Sequence, residues 1–282
     1  MQSDPIIEIR EVSFRYQNQK QPVIQGISAS FYPGTVSLIC GPTGSGKTTL
    51  IRLMNGLIPH FYEGNMTGDV TIDGINTKST STAKLAQIVG MVFQNPDNQL
   101  VCSTCEREIA FGPENLGLPR SEIKERLESA IKVLGIESIR DSSPNELSGG
   151  QKQKVAIAAA LALKPKILVF DEPSSNLDIE STARLVDTIE MINTKLHATI
   201  IIVEHRLEPF LRIATHLVCI ADGKILLHGE TANVINDDVF YDIGVQVPVL
   251  LKIFHQLARE NIYNGPIPIE TKPGMELLKK ML

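Results

Sequence analysis

The order of apolar and polar positions along the chain predicts strands and helices in mixed succession. Apolar side chains alternate with polar ones over 7–16 and 27–31, a pattern typical of antiparallel strands. An unbroken apolar run at 36–40 leads into a helical pattern formed by Leu50, Leu53, Met54 and Leu57. Residues 68–74 predict another strand and turn, so this part of the chain predicts a small antiparallel layer beside a buried strand.

Further unbroken apolar runs at 89–93, 167–170 and 199–203 predict buried strands of a parallel sheet. Between the first two runs the pattern is helical, with Ser121 as a candidate cap and Gly135 as a stop. The apolar face of this helix consists of Ile123, Leu127, Ile131 and Leu134. We therefore expect a helical subdomain, at about 97–163, inserted between two parts of one α/β sheet.

The second half of the chain continues with a helix, a hairpin and a tail. The helix is expected to turn Leu185, Ile189, Ile192 and Leu196 inward. Asp222-Gly223 predicts a hairpin between the apolar runs 217–220 and 225–227. From about Gly244, helical spacing recurs at Val249, Ile253 and Leu257, followed by a Gly/Pro-rich stretch and a last segment at 275–282. We expect a main domain at 1–243 and an extension at 244–282.

Composition narrows the classes of protein. The chain has 282 residues, 43% of them hydrophobic, and a net charge of −5, which argues against nucleic acid as a partner. The apolar helical segment 155–163 is too short to span a membrane, and the first residues show no export signal, so we expect a cytoplasmic protein. Cys102 and Cys105 form a C-x-x-C pair, for which unconnected thiols are favoured over a zinc site.

Residues 41–48, GPTGSGKT, match the phosphate-binding loop pattern G-x-x-x-x-G-K-[ST] between a predicted strand and a predicted helix. Its glycines allow backbone N–H groups to surround a polyphosphate, and the positive end of the helix faces the same anion. Lys47 would reach the β and γ phosphates, and Thr48 would hold Mg²⁺. This stretch predicts nucleotide binding.

Two carboxylates, Asp171 and Glu172, end the predicted central strand. With a phosphate loop in the same chain, Asp171 can hold Mg²⁺ through water, and Glu172 can orient or deprotonate an attacking water. The alternative is a cap or a solvated turn. Farther on, Asp178 is at least a helix N-cap.

A second helix start lies at Ser148, which forms an S-x-x-Q capping box with Gln151. The cap does not explain Gly149 and Gly150, because each glycine in a helix costs about 1 kcal/mol relative to alanine. Glycines there suit the close approach of a ligand to the backbone. The segment is therefore a candidate both for a cap and for an anion site.

Three further polar positions have two interpretations each. Residues 94–99 follow a strand end, where either a ligand loop or a plain turn is expected. His205 follows another strand end, which favours a place in the ligand crevice over an incidental one. Tyr16 is either a core side chain, which its strand position favours, or a platform for adenine.

Taken together, these motifs resemble the ATP-binding cassette (ABC) ATPases over about the first 240 residues, in the order that the family shows. The segments 94–99 and 110–115 resemble the ATPase subunits of energy-coupling factor (ECF) transporters. The resemblance implies a P-loop NTPase fold with a RecA-like core, a small antiparallel β subdomain and an inserted helical subdomain. Two departures, Cys105 and the switch segment 204–207, remove no group that hydrolysis requires.

The resemblance also implies functional residues. Two cassettes would pack head to tail, with Ser148 and Gly150 on the γ phosphate of the partner's ATP, Tyr16 on adenine and Gln94 coupling the site to a membrane partner. The expected catalytic residues are Glu172, His205 and Gln94, and the expected Mg²⁺ ligands are Thr48, Gln94 and Asp171. The residues expected to bind ATP are Tyr16, Gly41, Pro42, Thr43, Gly44, Ser45, Gly46, Lys47, Thr48, Thr49, Ser148, Gly149, Gly150, Gln151 and Asp178.

The partners implied are a second ABC ATPase subunit, identical or paralogous, an integral membrane coupling component and a membrane component that binds the substrate, with no nucleic acid. The protein would then lie peripherally on the cytoplasmic face of the cell membrane and drive uptake of a vitamin or a transition-metal ion. The alternatives are an ABC ATPase of DNA repair or translation, which the absence of long insertions disfavours, and a module that binds nucleotide without hydrolysis, which Glu172 and His205 disfavour.

Overall fold

The computed structural model describes residues 4–281; residue 282, in the last segment of the tail, and residues 1–3 lie outside this range. The strands are β1 Ile7–Tyr16, β2 Ile24–Phe31, β3 Val36–Cys40, β4 Gly64–Ile72, β5 Ile75–Asn76, β6 Val89–Val92, β7 Ile167–Asp171, β8 Thr199–Val203, β9 His216–Ala221 and β10 Lys224–Glu230. The helices are α1 Lys47–Met54, α2 Leu57–His60, α3 Thr82–Leu85, α4 Cys105–Asn115, α5 Arg120–Leu134, α6 Gly149–Ala162, α7 Ile179–Leu196, α8 Glu208–Leu211, α9 Thr231–Val234, α10 Asp238–Asp242, α11 Val249–Arg259 and α12 Thr271–Met281.

The strands form two sheets. An antiparallel sheet has the order β2-β1-β4-β5, and a second sheet has the order β10-β9-β3-β8-β7-β6. In the second sheet β6, β7, β8, β3 and β9 run parallel, while β10 returns antiparallel to β9. Every residue of β3, β7 and β8 is buried, because the sheet is covered on both faces. The carboxyl ends of β3, β6, β7 and β8 therefore meet along one edge.

Two hydrophobic cores lie on opposite faces of the large sheet. One core joins β3, β7 and β8 to α4, α5, α6 and α7. The other joins the same sheet to α1 and to the antiparallel layer. The mixed α/β architecture predicted from the sequence is confirmed. None of the described helices is both long and apolar enough to cross a membrane.

Several local predictions are corrected. Helix α5 begins at Arg120 after an extended Pro119, so Ser121 is the second helical residue and not the cap, and no side chain caps this end. Leu57 lies in α2 and not in the first helix, which ends at Met54. Leu196, the last residue of α7, is 47% exposed rather than inward, because the helix there extends past the core.

The tail has the predicted helical period but a different buried face. In α11, Leu251 and Phe254 are buried, whereas Val249 is 71% and Ile253 is 40% exposed. Phe254 packs edge-to-face on Tyr263, with ring centroids 4.9 Å apart. Packing against the rest of the chain therefore buries the face of α11 that carries Leu251 and Phe254, and not the neighbouring face with Val249 and Ile253.

Candidate active site

The loop 41–48 joins β3 to α1, as predicted from the sequence. Gly46 precedes the helix with a φ of 105°, a conformation that residues with a side chain rarely adopt. A Cβ on Gly41 would lie 1.9 Å from the carbonyl oxygen of Ile220, on the neighbouring strand β9. Both glycines are thus required by the backbone path that closes the loop.

Lys47 lies inside this loop. Its Nζ donates to the carbonyl oxygens of Gly41, at 2.9 Å, and Pro42, at 2.8 Å. Burial lowers the pKa of Lys47, although Glu172 and Asp171 act in the opposite direction. Ser45 Oγ is buried without a hydrogen-bond partner in the described part of the chain. The loop thus presents a confined cation and an unpaired hydroxyl, which suits an anionic phosphate group.

Asp171, at the end of β7, is 8% exposed, and its Oδ1 has no hydrogen-bond partner among the described residues. Burial, assisted by the negative charge of Glu172, raises the pKa of Asp171 to about 6. A buried carboxylate without a partner is costly unless a cation neutralises it. Together with the half-buried hydroxyl of Thr48, it offers the oxygen donors that Mg²⁺ prefers.

The carboxylate of Glu172 is held from both sides. Gln94 Nε2 donates to Glu172 Oε2 at 2.8 Å, and His205 Nε2 lies 2.9 Å from Oε1. Because the amide nitrogen of Gln94 faces Glu172, its Oε1 is the atom left for a cation. The structure thus brings together the ends of β6, β7 and β8, where the sequence places three of its candidate residues.

Tyr16 is half-buried and lines a cavity of about 640 Å³ together with Thr43, Lys47, Glu172 and His205. Its hydroxyl lies 3.1 Å from Thr49 Oγ1. The core interpretation, favoured by strand position alone, is therefore incomplete, since one part of the ring packs on Phe14 and another borders the cavity.

Two residues that line this cavity, Arg52 and Tyr62, were not predicted from the sequence. Arg52 donates from Nη1 to the Tyr16 hydroxyl at 3.1 Å, and its guanidinium lies 4.2 Å from the ring centroid of Tyr62. The available signal was the position of Arg52, one helical turn after Thr48 and therefore on the same face of α1. Tyr62 had no such signal, because it lies in a loop.

Ser148 and Gln151 form the predicted capping box, with the Gln151 N–H donating to Ser148 Oγ at 3.4 Å and the Ser148 N–H donating to Gln151 Oε1 at 2.9 Å. A Cβ on Gly149 would lie 4.0 Å from the Asn176 carbonyl oxygen, and a Cβ on Gly150 would lie 3.8 Å from Ser181 Oγ, both ordinary contact distances. Packing within the chain therefore does not explain why these two positions are glycine.

The capping segment does not reach the phosphate loop of its own chain. Residues 148–151 and Asp178 line a separate groove of about 370 Å³ between α6 and α7. Asp178 caps α7 by accepting from the Ser181 N–H at 2.6 Å, as predicted from the sequence. Of the expected ATP-binding residues, the chain thus gathers one set at the phosphate loop and leaves a second set on another surface.

The parallel sheet, the phosphate loop at its edge and the two carboxylates at the next strand end define the fold of the P-loop nucleotide-binding proteins. The chain belongs to the ABC transporter family, whose sequence profile matches residues 24–175. Its fold and its family membership make it an ATP-binding cassette protein.

Relatives agree with this assignment. An ABC transporter ATP-binding protein of Pyrococcus horikoshii is 40% identical over 258 residues, which are 91% of each chain. A similarly named protein of Methanosarcina acetivorans is 39% identical over 254 residues, which are 90% of this chain and 40% of the relative. The chain thus spans less than half the length of that relative, and 44% of one from Methanosarcina mazei.

Solved structures share the fold. CbiO1 from Clostridium perfringens, described as part of the ABC transporter complex CbiONQ, has a TM-score of 0.76 and 29% identity, covering 89% of this chain and 99% of CbiO1. The ATP-binding cassette MJ0796, solved as a dimer bound to ADP and phosphate, has a TM-score of 0.69 over 80% of this chain and 98% of MJ0796. Because the two sequences are only 24% identical, this match is evidence for the shared fold alone.

Proposed function

We propose that the chain is the ATP-hydrolysing motor subunit of an ECF-type ABC importer, in which a cassette dimer drives uptake of a vitamin or a transition-metal ion through membrane partners. The proposal places it peripherally on the cytoplasmic face of the membrane. It also divides the chain into an ATPase domain at 1–243, with a helical subdomain at about 97–163, and an extension at 244–282 that adds dimer contacts. The similarity to CbiO1, whose complex is an ABC transporter, supports the ECF assignment.

The observation that carries the proposal is an apolar groove beside the loop 94–99. It has a volume of about 350 Å³ and lies between α4, α6 and the strand β6. Phe93, Val101 and Phe111 line it and are 41%, 72% and 48% exposed. Exposed aromatic and aliphatic side chains around a groove are typical of a protein interface. A helix of a membrane protein is an occupant of matching size and chemistry.

The groove is connected to the candidate catalytic residues. Gln99 Oε1 accepts from the Phe93 N–H at 3.1 Å, which joins the groove wall to the loop that begins at Gln94. Gln94 in turn donates to Glu172. A partner that moves Phe93 would therefore move Gln94 against the carboxylate, which is a physical route for coupling.

For hydrolysis we assign roles to the chain's own residues. Lys47 binds the β and γ phosphates, Tyr16 stacks on adenine, and Asp171 and Thr48, with Gln94, hold Mg²⁺. When bound, Mg²⁺ would supply positive charge against the negative charge that develops on the phosphates. Glu172 accepts the proton of the attacking water, and His205, on the other oxygen of Glu172, contacts the γ phosphate.

The second set of residues completes the site from another chain. Ser148 and Gly150 would contact the γ phosphate of the partner's ATP, with Gly149, Gln151 and Asp178 beside them. The absence of a close contact that requires glycine at either position, among the described residues, supports this role, because a ligand from outside the chain can then approach the backbone there.

The experiment is recovery of partners from detergent-solubilised native membranes with tagged wild-type protein and with Phe111→Glu. We expect the wild type to recover an integral membrane protein and the variant to lose it. The matched control is Leu226→Glu, on β10, because Leu226 is similarly exposed at 45% but lies outside the groove.

Both variants should retain ATP binding, since neither residue borders the phosphate loop. Recovery of only soluble proteins or nucleic acid by the wild type would favour the alternative function, an ABC ATPase of DNA repair or translation. If the wild type and Phe111→Glu recover the membrane protein equally well, the groove is not the docking surface.

A further inference from the structure

A third carboxylate, that of Glu204, lies next to the candidate catalytic residues: it contacts the backbone of His205 and the turn that follows Glu172. Glu204 follows the last residue of β8 and is 3% exposed. Its Oε1 accepts from the Ser174 N–H at 2.8 Å, and its Oε2 accepts from the His205 N–H at 3.1 Å. Burial raises the pKa of Glu204, and these hydrogen bonds with the charge of Arg206 counteract the rise. No role assigned above uses this group.

The two backbone groups that Glu204 joins belong to the two halves of the catalytic arrangement. Ser174 lies two residues after Glu172, and His205 is the residue whose imidazole meets Glu172 at 2.9 Å. The pairing between β7 and β8 ends with the Glu172 N–H donating to the Val203 carbonyl oxygen at 2.9 Å. After that backbone hydrogen bond, the segments that follow the two strands are joined by the Glu204 side chain, through its hydrogen bonds to Ser174 and His205.

Arg206 strengthens the same link. Its Nη2 donates to the Ser174 carbonyl oxygen at 2.7 Å and lies 3.2 Å from Ser174 Oγ. The turn after Glu172 is therefore held at an N–H by Glu204 and at a carbonyl by Arg206. Only an ionised carboxylate can accept two separate N–H groups without presenting a donor of its own.

We propose that Glu204, assisted by Arg206, is a positioning residue for ATP hydrolysis: its carboxylate holds the turn after Glu172 and the backbone of His205 at the separation at which the His205 imidazole meets Glu172. The proposal rests on the roles assigned to Glu172 and His205. Displacement of about 1 Å at reacting groups can cost about a hundredfold in rate, so loss of this link should lower turnover more than binding.

The test is Glu204→Gln, which keeps the size of the side chain but presents an NH₂ group to one of the two N–H donors. We expect kcat to fall about tenfold or more and the Kd of Mg-ATP to change less than about threefold. The matched control is Thr199→Val at the other end of β8. Thr199 is also buried, and its Oγ1 also accepts one backbone N–H, from Gly34 at 3.1 Å.

We expect Thr199→Val to keep kcat within about twofold at a similar loss of Tm, because Thr199 lies far from Glu172 along the strand. Equal losses of kcat in both variants, or an unchanged kcat in Glu204→Gln, would overturn the proposal. If Glu204→Gln does not fold, Arg206→Met at the exposed neighbour carries the test with the same expected separation of kcat from Kd.

A double-mutant comparison separates positioning from general destabilisation. If Glu204 acts through His205, adding Glu204→Gln to His205→Ala should lower kcat by less than about threefold, since the contact is already lost. A full additional tenfold loss would contradict the proposal. Glu172→Gln is measured in parallel: if it keeps normal turnover, the assigned catalytic roles fail, whereas a slow Glu172→Gln beside a normal Glu204→Gln refutes only the positioning role.

Discussion

At the scale of the residue, the burial of Asp171 opposes stability and favours cation binding at once. Because its pKa is raised to about 6 in the folded chain, the folded state keeps its proton at a pH where the unfolded state has released it. Stability without nucleotide should therefore fall as pH rises from about 4 to about 6, and the full cost, about 3 kcal/mol at most, applies above that window.

The prediction is that Asp171→Asn, without nucleotide or Mg²⁺, unfolds at higher urea than the wild type near pH 7.5. The difference between the two proteins should shrink toward about pH 4, since asparagine does not titrate. The same variant should lose the Mg²⁺ dependence of nucleotide binding. A stability difference that is constant with pH would contradict the assigned ionisation.

Lys47 differs from Asp171 because its charged group has hydrogen-bond partners within the chain: its ammonium donates to two carbonyl oxygens of the loop. Lys47→Ala removes the ammonium that we propose binds the β and γ phosphates, so ATP binding should become undetectable by calorimetry. Lys166→Ala is the control, since its ammonium lies on the surface against Asp73. Unchanged ATP affinity in Lys47→Ala would refute the phosphate-binding role.

At the scale of the element, stability and function are expected to favour different residues at the start of α6. Gly150→Ala adds a Cβ that meets nothing closer than 3.8 Å, and alanine is favoured over glycine in a helix by about 1 kcal/mol. We expect the variant to be as stable as the wild type or more stable in urea unfolding. Steady-state ATPase activity should nevertheless fall, while ATP binding, which we propose uses the phosphate loop, should persist. Normal activity would mean that nothing approaches this backbone.

At the scale of the whole molecule, ATP should hold two cassettes together until it is hydrolysed. Glu172→Gln keeps the shape of the side chain but removes the carboxylate that we propose as the general base, and loss of a general base typically costs about 10² to 10⁴ in rate. With Mg-ATP this variant should form a dimer, or a tighter one, and adding Ser148→Arg should reverse the shift. The measurements are light scattering and, in case the extension already joins the chains, a distance between labels on the Ser148 side of each. A distance that ATP does not change, with ATP bound, would contradict the composite site.

The sequence by itself determined the features that depend on neighbouring residues. The strand, loop and helix around 41–48, the capping box at Ser148 and the cap at Asp178 all arise from spacings of a few residues, and each is present in the structure. Buried strands were recognisable because a strand covered on both faces is apolar at every position.

Only the tertiary structure decided the features that depend on distant contacts. It selected the buried face of α11, left Leu196 exposed, and placed Arg52 and Tyr62 in the lining of the cavity at the phosphate loop. It also joined Glu204 to Ser174, 30 residues earlier in the chain. The physical reason is the same in each case: a side chain's burial and its hydrogen-bond partner are set by which elements pack against it, and no local pattern of apolar and polar residues encodes that choice.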